Sequence, residues 1–229
     1  MSPLTNTQGK PDDFIAPLCT AEIRILFQDE HIVLIDKPSG LLSLSGKNPL
    51  NKDSVHFRLV QNFPSATLVH RLDFGTSGIM LIALNKQVNA QLTKQFQAGT
   101  INKTYCAILH GHLEQDSGLI DFPIAKDPPN FPLQKICYMT GKNALTQYKV
   151  IERIASPPST RVLFTPISGR THQLRIHSRE LGHPILGCDL YKNAESQTMA
   201  TRLLLHAMTL EFNHPITGER VLGSSDCPF

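Results

Sequence analysis

Apolar and polar positions alternate over short stretches along most of this chain, and they take a helical period in only a few places. Ile23–Phe27 and Ile32–Ile35 read as two strands joined through Gln28-Asp29-Glu30-His31. Lys37-Pro38-Ser39-Gly40 ends the second, because Pro38 has no amide to donate and Gly40 tolerates a turn. Asp53 is placed to cap a short helix reaching Phe63. Ala66–Leu72 and Ile79–Leu84 read as buried strands around the polar break Asp73–Gly78. Val88, Leu92 and Phe96 recur every fourth residue, which predicts a helix capped by Asn85 and ended by Gly99. Further strands are predicted at Lys103–Leu109, Leu119–Ile124, Gln134–Tyr138, Thr146–Ile151, Arg161–Ile167 and Leu203–Phe212, with a helix from a Thr171 cap to about Leu181. Strand follows strand with few helices between, so the pattern predicts an α+β fold with a mostly antiparallel central sheet and flanking helices. Residues 1–20 are expected to be a flexible tail and residues 21–229 one domain.

Composition narrows the class. With 229 residues and 41% hydrophobic content, the chain can bury one sizeable core. No run approaches the ~18 apolar residues of a membrane span, and no secretory signal is visible, so the expectation is a cytoplasmic protein that does not meet the membrane. The five cysteines are odd in number, far apart and never Cys-x-x-Cys. Reduced thiols are expected, without a disulfide framework or zinc ribbon. The ten histidines include no His-Glu-x-x-His, and His172 and His177 miss the spacing for sharing a helix face, so no metal is expected.

The net charge of +3 is weak, but its distribution is uneven. Residues 1–36 hold two basic and six acidic side chains, whereas residues 37–229 hold twenty basic and thirteen acidic ones. A polyanion would therefore prefer one part of the surface. No carboxylate occurs from Phe74 to Leu113, and from Gly169 to His183 three arginines and three histidines are set against Glu180 alone. An ordinary solvated basic face would read the same way.

Three segments carry candidate chemistry. In His70-Arg71-Leu72-Asp73-Phe74-Gly75-Thr76-Ser77-Gly78, Asp73 is the only acid between Ser54 and Leu113. A lone carboxylate among cations suits a nucleophile or general base. It equally suits a turn aspartate that satisfies the amide of Gly75 or Thr76. In Gly169-Arg170-Thr171-His172-Gln173-Leu174-Arg175-Ile176-His177, a helix would put Arg175 and Arg179 on one face and Leu174 and Leu181 on another. Such arginines bind phosphate, hold a carboxylate by a bidentate pair, or simply decorate a surface helix. In Lys103-Thr104-Tyr105, alternation puts Lys103 and Tyr105 on one side of a strand, where the ring either stacks on an exposed base or packs into the core.

Together with Lys37-Pro38-Ser39-Gly40 and Leu203-Leu204-Leu205-His206-Ala207, these segments resemble the RluA family of RNA pseudouridine synthases over nearly all of residues 23–229. The resemblance implies a pseudouridine synthase fold with an RNA-binding cleft across its sheet, and no metal or organic cofactor. It implies Asp73 as the catalytic aspartate, Tyr105 as the residue packed against the target base, and Arg175 as partner of the aspartate. Arg71 resembles the arginine that enters the RNA stack when the uridine is flipped out. About twenty residues before the first strand are too few for the S4-type domain of several relatives. That and Phe131-Pro132-Leu133-Gln134-Lys135 liken the chain to the dual-specificity RluA subgroup, which implies 23S rRNA and tRNA stem-loop partners and a monomer.

Two other readings use the same residues. A glycoside or nucleoside hydrolase would need a second acid beside Asp73, which Glu152 or Asp189 could supply through the fold. A non-catalytic RNA-binding protein would need only the cations.

Overall fold

The structure, a computed structural model, describes residues 14–229. Of the expected flexible tail, residues 1–13 lie outside the described residues. Residues 14–20 carry no regular structure but are tethered: the Ala16 amide donates to Asn51 Oδ1 (2.8 Å), and the Phe14 ring meets Phe74 edge-on at 5.6 Å.

One ten-stranded sheet organises the described chain. Its strands are β1 (Arg24–Gln28), β2 (Ile32–Lys37), β3 (Thr67–Leu68), β4 (Ser77–Ala83), β5 (Asn102–His110) and β6 (Ser117–Asp121). A separate hairpin, β7 (Ile124–Lys126) and β8 (Gln134–Ile136), comes next. Then follow β9 (Leu145–Ile154), β10 (Ser159–Pro166), β11 (Leu205–Asn213) and β12 (Arg220–Ser224). The order is β1-β2-β4-β11-β5-β10-β9-β6, with β3 on β4 and β12 on β11. The pairings are antiparallel except at the middle, where β4 runs parallel to β11 through Ser77 opposite His206 and Gly78 opposite Ala207. The expected α+β fold with its mostly antiparallel sheet is the one observed.

That parallel seam divides two cores. On one side β2, β4 and the helices α1 (Val55–Leu59) and α2 (Lys86–Ala98) enclose Ile32, Ile35, Met80, Ile82, Val88 and Leu92. On the other, β5, β9, β10 and α3 (Gln173–Glu180) enclose Leu109, Val162, Phe164, Ile176 and Tyr191. α2 forms where its period predicts. Asn85 Oδ1 accepts from the Val88 amide (2.9 Å), Gly99 ends the helix at φ 69°, and Val88 and Leu92 are fully buried. Burial of each of those two side chains contributes about 1.5–3 kcal/mol.

Several boundaries move for local reasons. Ser54, not Asp53, caps α1, accepting from the Phe57 amide (3.1 Å), and Asp53 instead pairs with Arg58 at 2.6 Å. The strand expected over Ala66–Leu72 shrinks to β3 because His70 Nε2 accepts the Leu81 amide (3.0 Å), taking the donor a longer ladder would use. Thr171 does not cap α3; His172 holds that position without any side-chain cap bond. The stretch Leu119–Ile124 splits between β6 and β7.

Candidate active site

Asp73 sits in a loop fixed through its main chain. The Ser43 hydroxyl donates to the Leu72 carbonyl (2.7 Å) and accepts the Leu72 amide (3.2 Å). The Gly40 amide donates to the Phe74 carbonyl (2.9 Å), and the Ser39 hydroxyl donates to the Gly75 carbonyl (2.7 Å). Lys37 Nζ donates to the carbonyls of Pro38 (2.9 Å) and Phe74 (3.3 Å). The Lys37-Pro38-Ser39-Gly40 segment thus stops a strand and also grips the Asp73 loop. Lys37 is fully buried, and burial pulls its ammonium down to about 7.

The carboxylate itself is left for other work. The Thr76 amide donates to the main-chain carbonyl of Asp73 (3.1 Å), so the turn needs no side-chain oxygen. Asp73 Oδ2 instead lies 3.5 Å from Arg175 Nη1. Arg175, only 5% exposed, also donates from Nε to Cys188 Sγ (3.4 Å) and from Nη2 to Asp189 Oδ1. The structure therefore decides between the turn aspartate and the ion-paired one in favour of the pair.

The local chemistry of the Gly169–His177 segment also resolves. Gln173 is buried with its amide fully used: Oε1 accepts from Ser168 Oγ (2.8 Å) and the Arg170 amide (2.9 Å), while Nε2 donates to the Leu145 carbonyl (3.0 Å) and Thr146 Oγ1 (2.9 Å). His177 completes this with Thr146 Oγ1 (3.0 Å) and the Phe122 carbonyl (3.1 Å). These two residues anchor the helix start so that Arg175 reaches Asp73. Arg175 and Arg179 do share a face, both standing over the Tyr191 ring at 5.5 and 5.3 Å. Only Arg175 enters the cleft; Arg179 turns to Glu180.

The cleft has a volume of about 710 Å³ and is lined from both halves of the sheet. Asp73 is the only carboxylate among its lining residues, against Arg71, Lys103, Arg170 and Arg175. Tyr105 and Lys103 both face it, as alternation along β5 predicts. Burial and the nearby Asp73 push the Tyr105 hydroxyl above its ordinary range, so it is a neutral phenol. The wall behind is apolar and close-packed: His70 stacks on Phe96 at 4.9 Å, and burial with Lys103 nearby drives its imidazole down to about 3. Arg71 is exposed at the rim and makes no ion pair or hydrogen bond with the described residues.

The second carboxylate a hydrolase would need does approach Arg175. Asp189 is 68% exposed on the guanidinium's other nitrogen and does not line the cleft, and Glu152 lies elsewhere, 3.5 Å from Arg161. Neither is set against Asp73 across a substrate. Tyr191 had no local sequence signal as a site residue and Asp189 entered only as a possible second acid; the fold alone brings both against Arg175 of α3.

A family model for RNA pseudouridylate synthases matches residues 31–180. The chain belongs to that family. It is 52% identical over 194 residues to the "Dual-specificity RNA pseudouridine synthase RluA" of Yersinia pestis, spanning 85% of this chain and 94% of that relative. It is 46% identical over 205 residues to the protein of the same name from Escherichia coli (strain K12), spanning 90% and 93%. Among solved structures, human RNA Pseudouridylate Synthase Domain Containing 1 superposes with a TM-score of 0.76 at 28% identity, covering 93% of this chain and 86% of that one. The synthase is an isomerase of the RluA family acting on RNA, which sets aside the hydrolase and the non-catalytic binder.

Proposed function

We propose that the synthase converts a uridine lifted out of an RNA loop into pseudouridine, with Asp73 acting on the ribose, Arg175 orienting Asp73, Tyr105 packed on the uracil and Arg71 entering the vacated stack. The observation that carries this reading is the solitary carboxylate of a basic cleft, freed from its own turn and paired with a buried arginine from the opposite half of the sheet.

Extruding a base costs a few kcal/mol of stacking. Arg71, exposed and unpaired at the rim, offsets part of that by filling the gap. Lys103 and Arg170 meet the phosphates on either side. Inside, the bond from uracil N1 to C1′ breaks while Asp73 either attacks C1′ or takes the 2′ proton; both routes need the carboxylate held and charged, which is the service of Arg175. The base then turns, C5 bonds to C1′, Asp73 is regenerated and the C5 proton leaves. Reactant and product are isomers, so the reaction requires neither oxidant nor hydrolysis. Tyr105 and the apolar wall keep the detached uracil from water.

The resemblance to the RluA subgroup supports loop uridines of both 23S rRNA and the tRNA anticodon arm as substrates, and the relatives are named dual-specificity RNA pseudouridine synthases. The synthase acts in the cytoplasm as a monomer, with residues 21–229 as its catalytic domain. Mass-spectrometric mapping of pseudouridine in both RNAs after treatment with purified protein tests this. New pseudouridine in loops of both is expected. Asp73→Asn should abolish tritium release from 5-labelled uridine and change RNA affinity by less than about tenfold, and substantial residual turnover would remove Asp73 from its role. RNA affinity should also fall with rising salt as lysines and arginines displace phosphate counterions.

A further inference from the structure

His172 lines the cleft with Asp73, yet no local requirement accounts for a histidine there. It is the one non-glycine residue with positive φ among those described, at φ 57° and ψ 17°, a conformation disfavoured for L side chains. It stands at the start of α3 without making a cap bond. Strain of this kind persists only where the surroundings hold it, and Tyr191 packs against this side chain. The fully buried Tyr191 meets the His172 ring edge-on at 5.5 Å, and its hydroxyl lies 2.9 Å from His172 Nδ1.

The hydrogen bonds favour one tautomer. The Tyr191 oxygen already accepts the Gln134 amide (2.7 Å), and among the described residues His172 Nδ1 is the acceptor within reach of its hydroxyl hydrogen, so we assign the hydroxyl as donor and Nδ1 as acceptor. The imidazole hydrogen is then on Nε2, which has no protein partner among the described residues. Burial, helped by Arg175 and opposed by Asp73 and Asp189, lowers the imidazole below its ordinary value and keeps it neutral. The result is an oriented, uncharged N–H donor beside a carboxylate that acts on the sugar.

We infer that His172 Nε2–H donates a hydrogen bond to a carbonyl oxygen of the uracil once the base has separated from the ribose. When N1–C1′ breaks, its electron pair stays with the base, and the negative charge is shared between N1 and the ring oxygens. A donor aimed at one of those oxygens is stronger after cleavage than before, so it lowers the barrier. No proton moves from His172; it remains a neutral donor while the base turns and C5 bonds to C1′. A neutral donor also leaves Asp73 free of a second cationic partner. This inference rests on the reading of Asp73 as the group that acts on the ribose.

The test compares two substrates in single-turnover assays: an RNA in which wild-type protein forms pseudouridine, and the same RNA with 5-fluorouridine at the target. Fluorine makes the uracil anion more stable, so its departure depends less on a donor. His172→Gly relaxes the backbone and removes the ring. It should slow uridine conversion about 100-fold, the loss typical of one such donor, while disappearance of intact 5-fluorouridine slows by about tenfold or less. RNA affinity should stay within about threefold. His172→Gln, whose amide N–H reaches the same position, should recover at least about tenfold over the glycine variant. Equal slowing on both substrates, uridine conversion within about threefold of wild type, or a defect fully explained by affinity would each overturn the inference. Asp73→Asn, run beside these, should stop both substrates. If it does not, the Asp73 reading fails while the leaving-group signature of His172 still stands or falls alone.

Discussion

The two halves of the sheet hold their contributions to the cleft by opposite means. The β2–β4 half fixes Asp73 through main-chain carbonyls, gripped by Lys37, Ser39, Gly40 and Ser43, and leaves the carboxylate without a local bond. The β5–β10 half fixes Arg175 by enclosing it, with sulfur, carboxylate and ring contacts around a 5% exposed guanidinium. Tyr105, on β5, packs against both cores. A carboxylate that is to act on the ribose, as proposed for Asp73, must keep its oxygens free, so its loop is clamped elsewhere. A cation proposed only to orient that carboxylate has no such need, and burial both immobilises it and strengthens its field.

The largest predicted effect strikes the seam where the halves meet. A Cβ on Gly78, at φ 115°, would lie 2.2 Å from the Ala207 carbonyl oxygen. Gly78→Ala should therefore cost more than about 4 kcal/mol, in the range of severe backbone and packing defects, seen as loss of the cooperative thermal transition or a very large fall in Tm. A near-normal Tm would mean that the halves are not locked there.

Next comes the enclosed cation. Arg175→Met should lower turnover about a thousandfold with RNA affinity nearly unchanged, because it unpairs Asp73 and Asp189 at once. Arg175→Lys should recover little, since one ammonium cannot fork between two carboxylates. Recovery by lysine would mean that charge, not geometry, is what the second half supplies. For the shared residue, Tyr105→Ala should lose stacking worth about 1–3 kcal/mol, a tenfold to hundredfold fall in kcat/KM, whereas Tyr105→Phe should lose much less. Equal defects would assign the role to the hydroxyl.

The smallest effect at neutral pH concerns the clamped half. His70 titrates at about 3 when folded against 6.5 in the unfolded chain. Its contribution to stability is thus present above pH 6.5 and is lost as pH falls toward 3, because only the unfolded chain gains that proton in the interval. Urea titrations should show stability falling by up to about 1.4 kcal/mol per pH unit across it, with the slope flattened in His70→Gln.

Motif-bearing segments were legible because each combines residues that ordinary packing does not call for together. Asp73 stood out as the sole acid in sixty residues, and Lys103 with Tyr105 followed from strand alternation. Local patterns misled where a long-range partner intervened. The ladder over Ala66–Leu72 lost a donor to the His70 ring, and α3 began at His172, whose ring is bonded to the distant Tyr191, and not at a Thr171 cap. Arg179 matched Arg175 in helical phase, but an adjacent glutamate diverted it.

The amino-acid sequence alone determined the α+β class and the α2 helix, since periodicity is a local property, and it marked Asp73, Tyr105 and Arg175 as candidates, whose roles the resemblance to the RluA family implied. Tertiary structure alone decided that Asp73 is paired and not a turn cap, that Asp189 shares its arginine from outside the cleft, and that His172 presents Nε2. Each of those depends on atoms far apart in the chain meeting within hydrogen-bond distance, and no spacing along the sequence records such a meeting.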